Sequence, residues 1–276
     1  MLENIRFGIV QGRLIPPPEG HLQWFPQEYW QSEFFVSSAL GYDYIELIAE
    51  RQHNEGNPIW SSNGVEEIAS LTRMNHLSLL AVCNDYIIDH PITADEEAFR
   101  QTLRLLSQSS LLGIRVFVLP LFEKSELTTD SLFEYQEPLR DIARVAEKSD
   151  MLVCIETNLD GRDLLQALET LACPNIKCVF DTGNRIALGH DIYSDIRLLG
   201  ERIGHVHIKD KNEKNENVIL GTGRVDFLEA FRALSDIGFR GGCTFETFRG
   251  TDPARTAQYN LSFVKFFVRE VSGNEH

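Results

Sequence analysis

The chain has 276 residues, of which 43% are hydrophobic, and this length and composition suit one large hydrophobic core. Its 41 acidic residues outnumber the 26 basic ones, which gives a net charge of -15. We expect no non-specific nucleic-acid binding, because this charge would repel phosphate backbones. The sequence has no apolar run near the roughly 20 residues that span a bilayer and no basic, then apolar, signal segment, so we expect a soluble, unprocessed protein without a membrane partner.

Short apolar runs rich in β-branched residues alternate with stretches of helical periodicity, which is typical of a parallel sheet covered by helices. The predicted strands are Ile5–Val10, Tyr42–Leu47, Ser78–Cys83, Ile114–Leu119, Leu152–Glu156, Ile176–Phe180, Ile203–Lys209 and Gly242–Glu246. The predicted helices are 27–40, 65–74, 94–112, 132–148, 162–171, 191–199, 226–237 and 254–270. Eight alternations predict an α/β fold with a single (β/α)8 TIM barrel domain over residues 1–276.

Junctions between helices and strands support this reading. Gly41, Gly113 and Gly238 each follow an apolar residue where a helix should end, and glycine tolerates the left-handed conformation that a helix end requires. Asp226 and Asp252 stand where the last two long helices should begin, and both are good N-cap residues.

The cysteines indicate a reducing compartment. They are five in number, contain no CxxC pair and lie mostly in apolar runs, where buried thiols are common. We therefore expect a cytoplasmic protein without a disulfide framework.

Four polar residues end apolar strands, where a parallel barrel gathers its functional groups. Glu156 and Glu246 end the fifth and eighth strands, Asp181 directly follows the sixth, and His207 lies near the end of the seventh. Any one of these acids alone is more often a helix cap or half of an ion pair, and a lone histidine is more often structural. Together they predict a divalent-metal site, because a cation removes the repulsion between converging carboxylates. Oxygen ligands with one imidazole suit Mn²⁺ or Mg²⁺ best, with Co²⁺ and Zn²⁺ as alternatives.

Residues beside His207 on the same strand are further candidates. His205 shares its face and is expected to be either a partner that orients the site or a buried structural histidine. Lys209 would face a substrate oxygen or phosphate, and Asp210 would orient His207. The segment GTGRVDF at 221–227 lacks a complete phosphate-binding motif and is predicted to be a tight loop over the barrel mouth.

The ends of the first three strands add substrate-binding candidates. Arg13 lies in the first loop with Trp24 and Trp30, which can form an aromatic wall against a sugar or pack structurally. Glu46 and Asn84 follow the second and third strands and point toward the mouth, although Glu46 can equally be a structural acid.

These segments resemble the xylose-isomerase-like superfamily, in particular its sugar and sugar-phosphate isomerase/epimerase group. The resemblance covers nearly the whole chain and is carried by FGIVQGRL, YDYIELIAE, IET, FDTGN, HVHIKDKN, GTGRVDF and TFE. It implies a metal-dependent enzyme in which Glu156, Asp181, His207 and Glu246 are the metal ligands.

The resemblance also implies a chemistry. The metal would hold the carbonyl and adjacent hydroxyl of a sugar or sugar phosphate and stabilise the enediolate that forms when the intervening C–H loses its proton. Glu156 and Glu246 would be the acid/base residues. One glutamate acting with a proton shuttle gives aldose–ketose isomerisation and two acting on opposite faces give epimerisation, and the sequence leaves both open.

The substrate-binding residues depart from the family pattern. Several sugar epimerases have a substrate-binding histidine where this chain has Asn184, and an arginine in the loop that here reads Lys211–Lys214. Asn184 therefore becomes a substrate-binding candidate, and the sugar remains open.

Three alternatives remain at this point. A dehydratase of a cyclic polyol or a dehydroshikimate-like substrate would use the same metal and a similar carbanion. An apurinic-site endonuclease would need more histidines and a basic face, and a non-catalytic sugar-binding barrel would hold no metal. The sequence is compatible with a homo-oligomer.

Overall fold

The strands form a closed barrel in a computed structural model that describes residues 2, 5–18 and 23–273. Neighbouring strands pair in parallel and in chain order, and β1 pairs with both β2 and β8. The strands are β1 Arg6–Val10, β2 Tyr44–Ala49, β3 Ser78–Asn84, β4 Val116–Leu121, β5 Leu152–Thr157, β6 Ile176–Asp181, β7 Ile203–Ile208 and β8 Gly242–Phe245. The predicted (β/α)8 TIM barrel is confirmed.

At least one helix follows each strand along the chain. The helices are α1 Trp30–Leu40, α2 Ser62–Met74, α3 Tyr86–Asp89, α4 Glu96–Leu111, α5 Leu132–Glu147, α6 Gly161–Leu171, α7 Thr182–Ala187, α8 Ile192–Leu199, α9 Phe227–Asp236 and α10 Pro253–Gly273. The short helices α3 and α7 were not predicted, because one or two turns carry no detectable periodicity. None of the described helices is long and apolar enough to cross a membrane.

The turns form as their residues predict. Gly41, Gly113 and Gly238 have φ values of 84°, 70° and 63°, in the left-handed region that favours glycine. Asp226 accepts a hydrogen bond from the Glu229 amide at 3.0 Å and so caps α9. Asp252 accepts one from the Arg255 amide at 3.1 Å and caps α10.

Two strands begin two residues later than predicted. Paired residues of β2 and β4 start at Tyr44 and Val116, whereas the apolar pattern begins at Tyr42 and Ile114. Tyr42 and Ile114 are buried in the turns before the strands, and Tyr42 donates its hydroxyl to the carbonyl of Ala257. An apolar residue in a buried turn cannot be distinguished from a strand residue by sequence, so both strands were predicted to begin two residues too early.

Register in the last three strands sets the geometry of the site. Asp181 of β6 lies opposite His207 of β7, and His207 lies opposite Thr244 of β8. The barrel therefore brings these side chains to one level near the carboxyl ends of the strands.

Candidate functional site

A cavity of about 450 Å³ opens at the carboxyl ends of the strands. This volume lies within the range of small-molecule sites. Five predicted residues line it together: Glu156, Asn184, His207, Lys209 and Glu246.

The four predicted metal ligands meet at the base of this cavity. Ligand atoms of Glu156, Asp181 and His207 all lie within 4.8 Å of one another. Glu246 joins them, since its Oε2 lies 3.3 Å from Nδ1 of His207. Oε2 of Glu156 lies 3.7 Å from the same nitrogen.

Glu46 holds His207 from behind. Its Oε1 lies 3.0 Å from His207 Nε2, and its Oε2 lies 2.8 Å from His205 Nε2 and accepts the hydroxyl of Thr244 at 2.7 Å. Burial would raise the pKa of Glu46, but His207 and His205 outweigh burial and lower that pKa below its usual value. An ionised Glu46 stabilises a proton on Nε2 of His207, so Nδ1 is the ring nitrogen that faces Glu156 and Glu246.

The two glutamates at the cavity have opposite shifts. Burial raises the pKa of Glu156 to about 7, although His207 acts against this rise. Burial would also raise the pKa of Glu246, but Lys209, His207 and Arg13 hold it well below its usual value. The barrel mouth thus gives two carboxyl groups different proton affinities, a common property of acid/base sites.

The donor set fits a divalent cation. Nδ1 of His207 and Oδ2 of Asp181 are buried and have no well-aligned hydrogen bond within the described part of the chain. Lys209 Nζ lies 3.0 Å from Asp181 Oδ2 and 2.9 Å from Glu246 Oε2, so these carboxylates are already arranged around positive charge. Carboxylate oxygens with one imidazole nitrogen suit Mn²⁺, Mg²⁺, Co²⁺ or Zn²⁺.

Asn184 and Lys209 lie beside Glu156 in the cavity lining. Asn184 Nδ2 donates to Glu156 Oε1 at 3.0 Å, and Lys209 Nζ lies 3.4 Å from Asn184 Oδ1. Both side chains line the cavity beside the catalytic candidates.

Four other candidates lie outside the described lining of this cavity. Glu46 and His205 are fully buried beneath His207. Asn84 is buried and donates to the hydroxyl of Thr102 on α4. Arg13 lies behind Glu246 and donates to its Oε1 at 3.0 Å. Glu46 and Arg13 thus contact the predicted metal ligands His207 and Glu246 directly.

Trp30 belongs to the core. It packs against Phe25 and Phe34, with ring centroids 6.2 and 6.0 Å apart. Of the two alternatives for Trp30, structural packing is therefore confirmed and the aromatic wall is not formed by this residue.

The expected role of Asp210 is also wrong. Its carboxylate accepts hydrogen bonds from the amides of Lys211, Gly221, Gly223 and Val225 at 2.9 to 3.1 Å. Asp210 thereby closes the loop at 221–227 rather than orienting His207. A strand-end acid followed by a glycine-rich segment is a signal for this arrangement.

Asp85 follows Asn84 after the third strand and, as expected from that position, lines the cavity; burial raises its pKa to about 6. Arg51 and Gln23 are lining residues that were not predicted from the sequence. Arg51 pairs with Asp89 at 2.8 Å and with Glu123. Arg51 lies two residues after β2, so a search for polar residues just after strand ends would have found it. Gln23 lies in the first loop, far from a strand end, and has no such signal in the sequence.

A family model described as xylose isomerase-like TIM barrel matches residues 34–266. The chain belongs to this family.

Individual relatives have low sequence identity to this chain, but the aligned regions cover most of both proteins. D-psicose 3-epimerase of Ruminiclostridium cellulolyticum is 23% identical over 251 residues, which cover 80% of this chain and 81% of that protein. L-ribulose-5-phosphate 3-epimerase UlaE of Escherichia coli is 22% identical over 256 residues, which cover 86% of this chain and 89% of that protein. These relatives are enzymes, and the prediction that this chain is an enzyme is confirmed.

Solved structures share the architecture. The IolI protein, crystallised with a bound zinc atom, superposes with a TM-score of 0.71 at 18% identity, and the match covers 99% of both chains. At this identity the likeness shows the fold.

Proposed function

We propose that the protein is a divalent-metal-dependent sugar epimerase that inverts the carbon next to the carbonyl of a ketose or ketose phosphate. The observation that carries this proposal is the placement of Glu156 and Glu246, which reach the same nitrogen of His207 from strands β5 and β8. The names of the relatives, which are 3-epimerases of a ketose and of a ketose phosphate, support the same reaction class.

The two glutamates approach the cavity from different sides. In the barrel order, β6 and β7 lie between β5 and β8, so Asp181 and His207 separate the two carboxyl groups. A sugar carbon held above His207 would present one face to Glu156 and the other to Glu246. One carboxylate removes the proton from its face and the other carboxyl group delivers a proton to the opposite face, which inverts the carbon. This arrangement favours epimerisation over aldose–ketose isomerisation.

Glu156, Asp181, His207 and Glu246 would hold the cation, with Mn²⁺ or Mg²⁺ preferred by the donor set. When bound, the cation polarises the carbonyl of the sugar and stabilises the negative charge that builds on its oxygens during proton removal.

The remaining cavity residues would bind the sugar. Lys209 and Asn184 present an ammonium group and an amide beside Glu156, and both can contact hydroxyl groups or a phosphate. Asp85 also lines the cavity and would add a further polar contact to the sugar. The partner is therefore a small-molecule sugar, and we propose a cytoplasmic location.

The test is a substrate screen with the Mn²⁺-loaded protein on free ketoses and their phosphates, with products identified by NMR. We expect a C3 epimer from at least one sugar. The Glu246→Gln variant should retain the fold and lose turnover, and Glu28→Gln, which changes an exposed acid, is the control. A dehydrated product would instead identify a lyase, and full activity of Glu246→Gln would contradict the assignment of Glu246 as an acid/base residue.

A further inference from the structure

The turn after β1 holds Arg13 against Glu246. Arg13 Nη2 donates to Glu246 Oε1 at 3.0 Å and to Gln23 Oε1 at 2.6 Å, and Nη1 donates to the carbonyl of Thr247 at 3.1 Å. The side chain of Arg13 is only 1% exposed, compared with 14% for Glu246. The guanidinium therefore contacts the cavity through Glu246 rather than directly.

Each oxygen of Glu246 has its own cationic partner. Oε1 faces Arg13, while Oε2 lies 2.9 Å from Lys209 Nζ and 3.3 Å from His207 Nδ1. Two partners on two oxygens fix the plane of a carboxylate more tightly than one partner can, because rotation of the group would break both contacts.

The backbone beneath Arg13 is itself fixed. Glu33 of α1 accepts the amide of Gly12 at 2.9 Å and the amide of Leu14 at 3.2 Å, on both sides of Arg13. Arg249 Nε donates to the carbonyl of Gly12 at 2.8 Å. Gly12 has a φ of 83°, and a Cβ there would lie 2.3 Å from the carbonyl oxygen of Trp24. The turn is thus built to present one side chain in one direction.

We propose that Arg13 is a positioning residue that holds the carboxylate plane of Glu246 and does not bind the sugar. The proposal deepens the proposed function and rests on it, because Glu246 is the group that would exchange a proton with the substrate. It replaces the earlier expectation that Arg13 contacts the substrate. Its role is to keep Oε2 directed at the cluster formed by His207 and Lys209.

Kinetics distinguish positioning from substrate binding. For Arg13→Met we expect kcat to fall roughly 10- to 100-fold, the usual cost of removing a group that orients a reacting residue, with KM changed by less than about 2-fold. Arg13→Lys should recover part of kcat, because lysine keeps the charge but not the two-pronged geometry. A raised KM with unchanged kcat would overturn the proposal, as would wild-type values for both parameters.

Chemical rescue tests the charge directly. The Arg13→Ala variant leaves a space beside Glu246, and millimolar guanidinium chloride should restore part of kcat. Urea, which is planar and of similar size but uncharged, is the control and should not. Equal effects of guanidinium and urea, or no effect of either, would overturn the proposal.

Arg185→Met is the matched stability control. Arg185 is also buried and also pairs with a carboxylate, Asp195 at 2.6 Å, and with the carbonyl of Leu159 at 3.0 Å. This variant should lose stability comparably without the selective loss of kcat.

A crystallographic measurement separates this proposal from the proposed function. In Arg13→Met, Glu246 Oε2 should move by more than about 1 Å from its position beside Lys209, which is a displacement large enough to slow a reaction. In Arg13→Lys, Oε2 should keep its position. An unchanged Glu246 in Arg13→Met would overturn the positioning role. If the wild type turned over no sugar, the proposed function would fail while this structural comparison still decided the role of Arg13.

Discussion

Glu33 makes the stability of this barrel depend on pH in a way that one substitution should remove. Its side chain is buried under the turn after β1, and both oxygens accept the amide of Gly12. Burial raises the pKa of Glu33 to about 7 from a usual value of 4.5, although the amides of Gly12 and Leu14 act against this rise.

A raised pKa in the folded state means that the folded protein binds a proton that the unfolded chain has lost. The stability from this group is therefore fully present below pH 4.5 and is lost as the pH rises toward about 7. At 1.36 kcal/mol for each pH unit, the loss reaches about 3 kcal/mol. Glu33→Gln is neutral at every pH and should not lose this contribution.

The assay is urea unfolding of the wild type and Glu33→Gln at several values between pH 5 and pH 8. We expect the free energy of unfolding of the variant, minus that of wild type, to increase by about 2 to 3 kcal/mol from pH 5 to pH 8, because only the wild type is destabilised as the pH rises. The matched control is Glu28→Gln, which removes an acid from the exposed surface and should change stability by less than about 0.5 kcal/mol. A difference between Glu33→Gln and wild type that does not vary with pH would refute the reasoning.

Three further substitutions test the supports of the site. Glu46→Gln should lower the free energy of unfolding by about 3 kcal/mol, because it leaves the buried histidines without their anionic partner. It should also weaken Mn²⁺ binding, measured by calorimetry, roughly 10- to 100-fold, and an unchanged Mn²⁺ affinity would contradict the orienting role of Glu46. Gly12→Ala should lower stability by about 2 kcal/mol, since its φ is 83° and its Cβ would meet the carbonyl of Trp24, and an unchanged Tm would argue against a locked turn. Asp210→Asn should open the loop at 221–227, because a charged acceptor of amides is lost, and limited proteolysis should then cut the loop faster than in wild type; equal cleavage rates would refute that role.

The fold was predictable because its signals are local. Each β-branched apolar run, each left-handed glycine and each capping aspartate lies within a few residues of the element that it defines, as Gly41 and Asp226 illustrate. The limits have the same origin. Apolar residues in a buried turn look like a strand, as at Tyr42, and a helix of one or two turns shows no period.

The metal-binding candidates could be found because the barrel converts position along the chain into position in space. A polar residue near the carboxyl end of a strand lies close to the mouth, so Glu156, Asp181, His207 and Glu246 could be selected as candidates without knowing any distance. Contacts between distant strands could not be found in this way. The pair formed by Arg13 and Glu246 joins residues 233 positions apart, and no sequence pattern records it.

The support beneath His207 shows the same limit. Glu46 was recognised as a strand-end acid, but the sequence does not say whether such a residue points into the cavity or beneath it. In the structure Glu46 lies inside β2 rather than at its end, is fully buried, and contacts His205 and His207 beneath the cavity.

The central claim is that bound metal and two glutamates exchange the proton on the carbon next to the carbonyl of a ketose. The most direct measurement is proton NMR of the ketose turned over in the substrate screen, incubated in D₂O with Mn²⁺-loaded protein and with protein stripped by EDTA. The account predicts deuterium at C3 of the product epimer with the loaded protein, because the delivering carboxyl group exchanges with solvent, and no exchange with the stripped protein. Epimerisation that proceeds equally after stripping, or that leaves C3 free of deuterium, would contradict it.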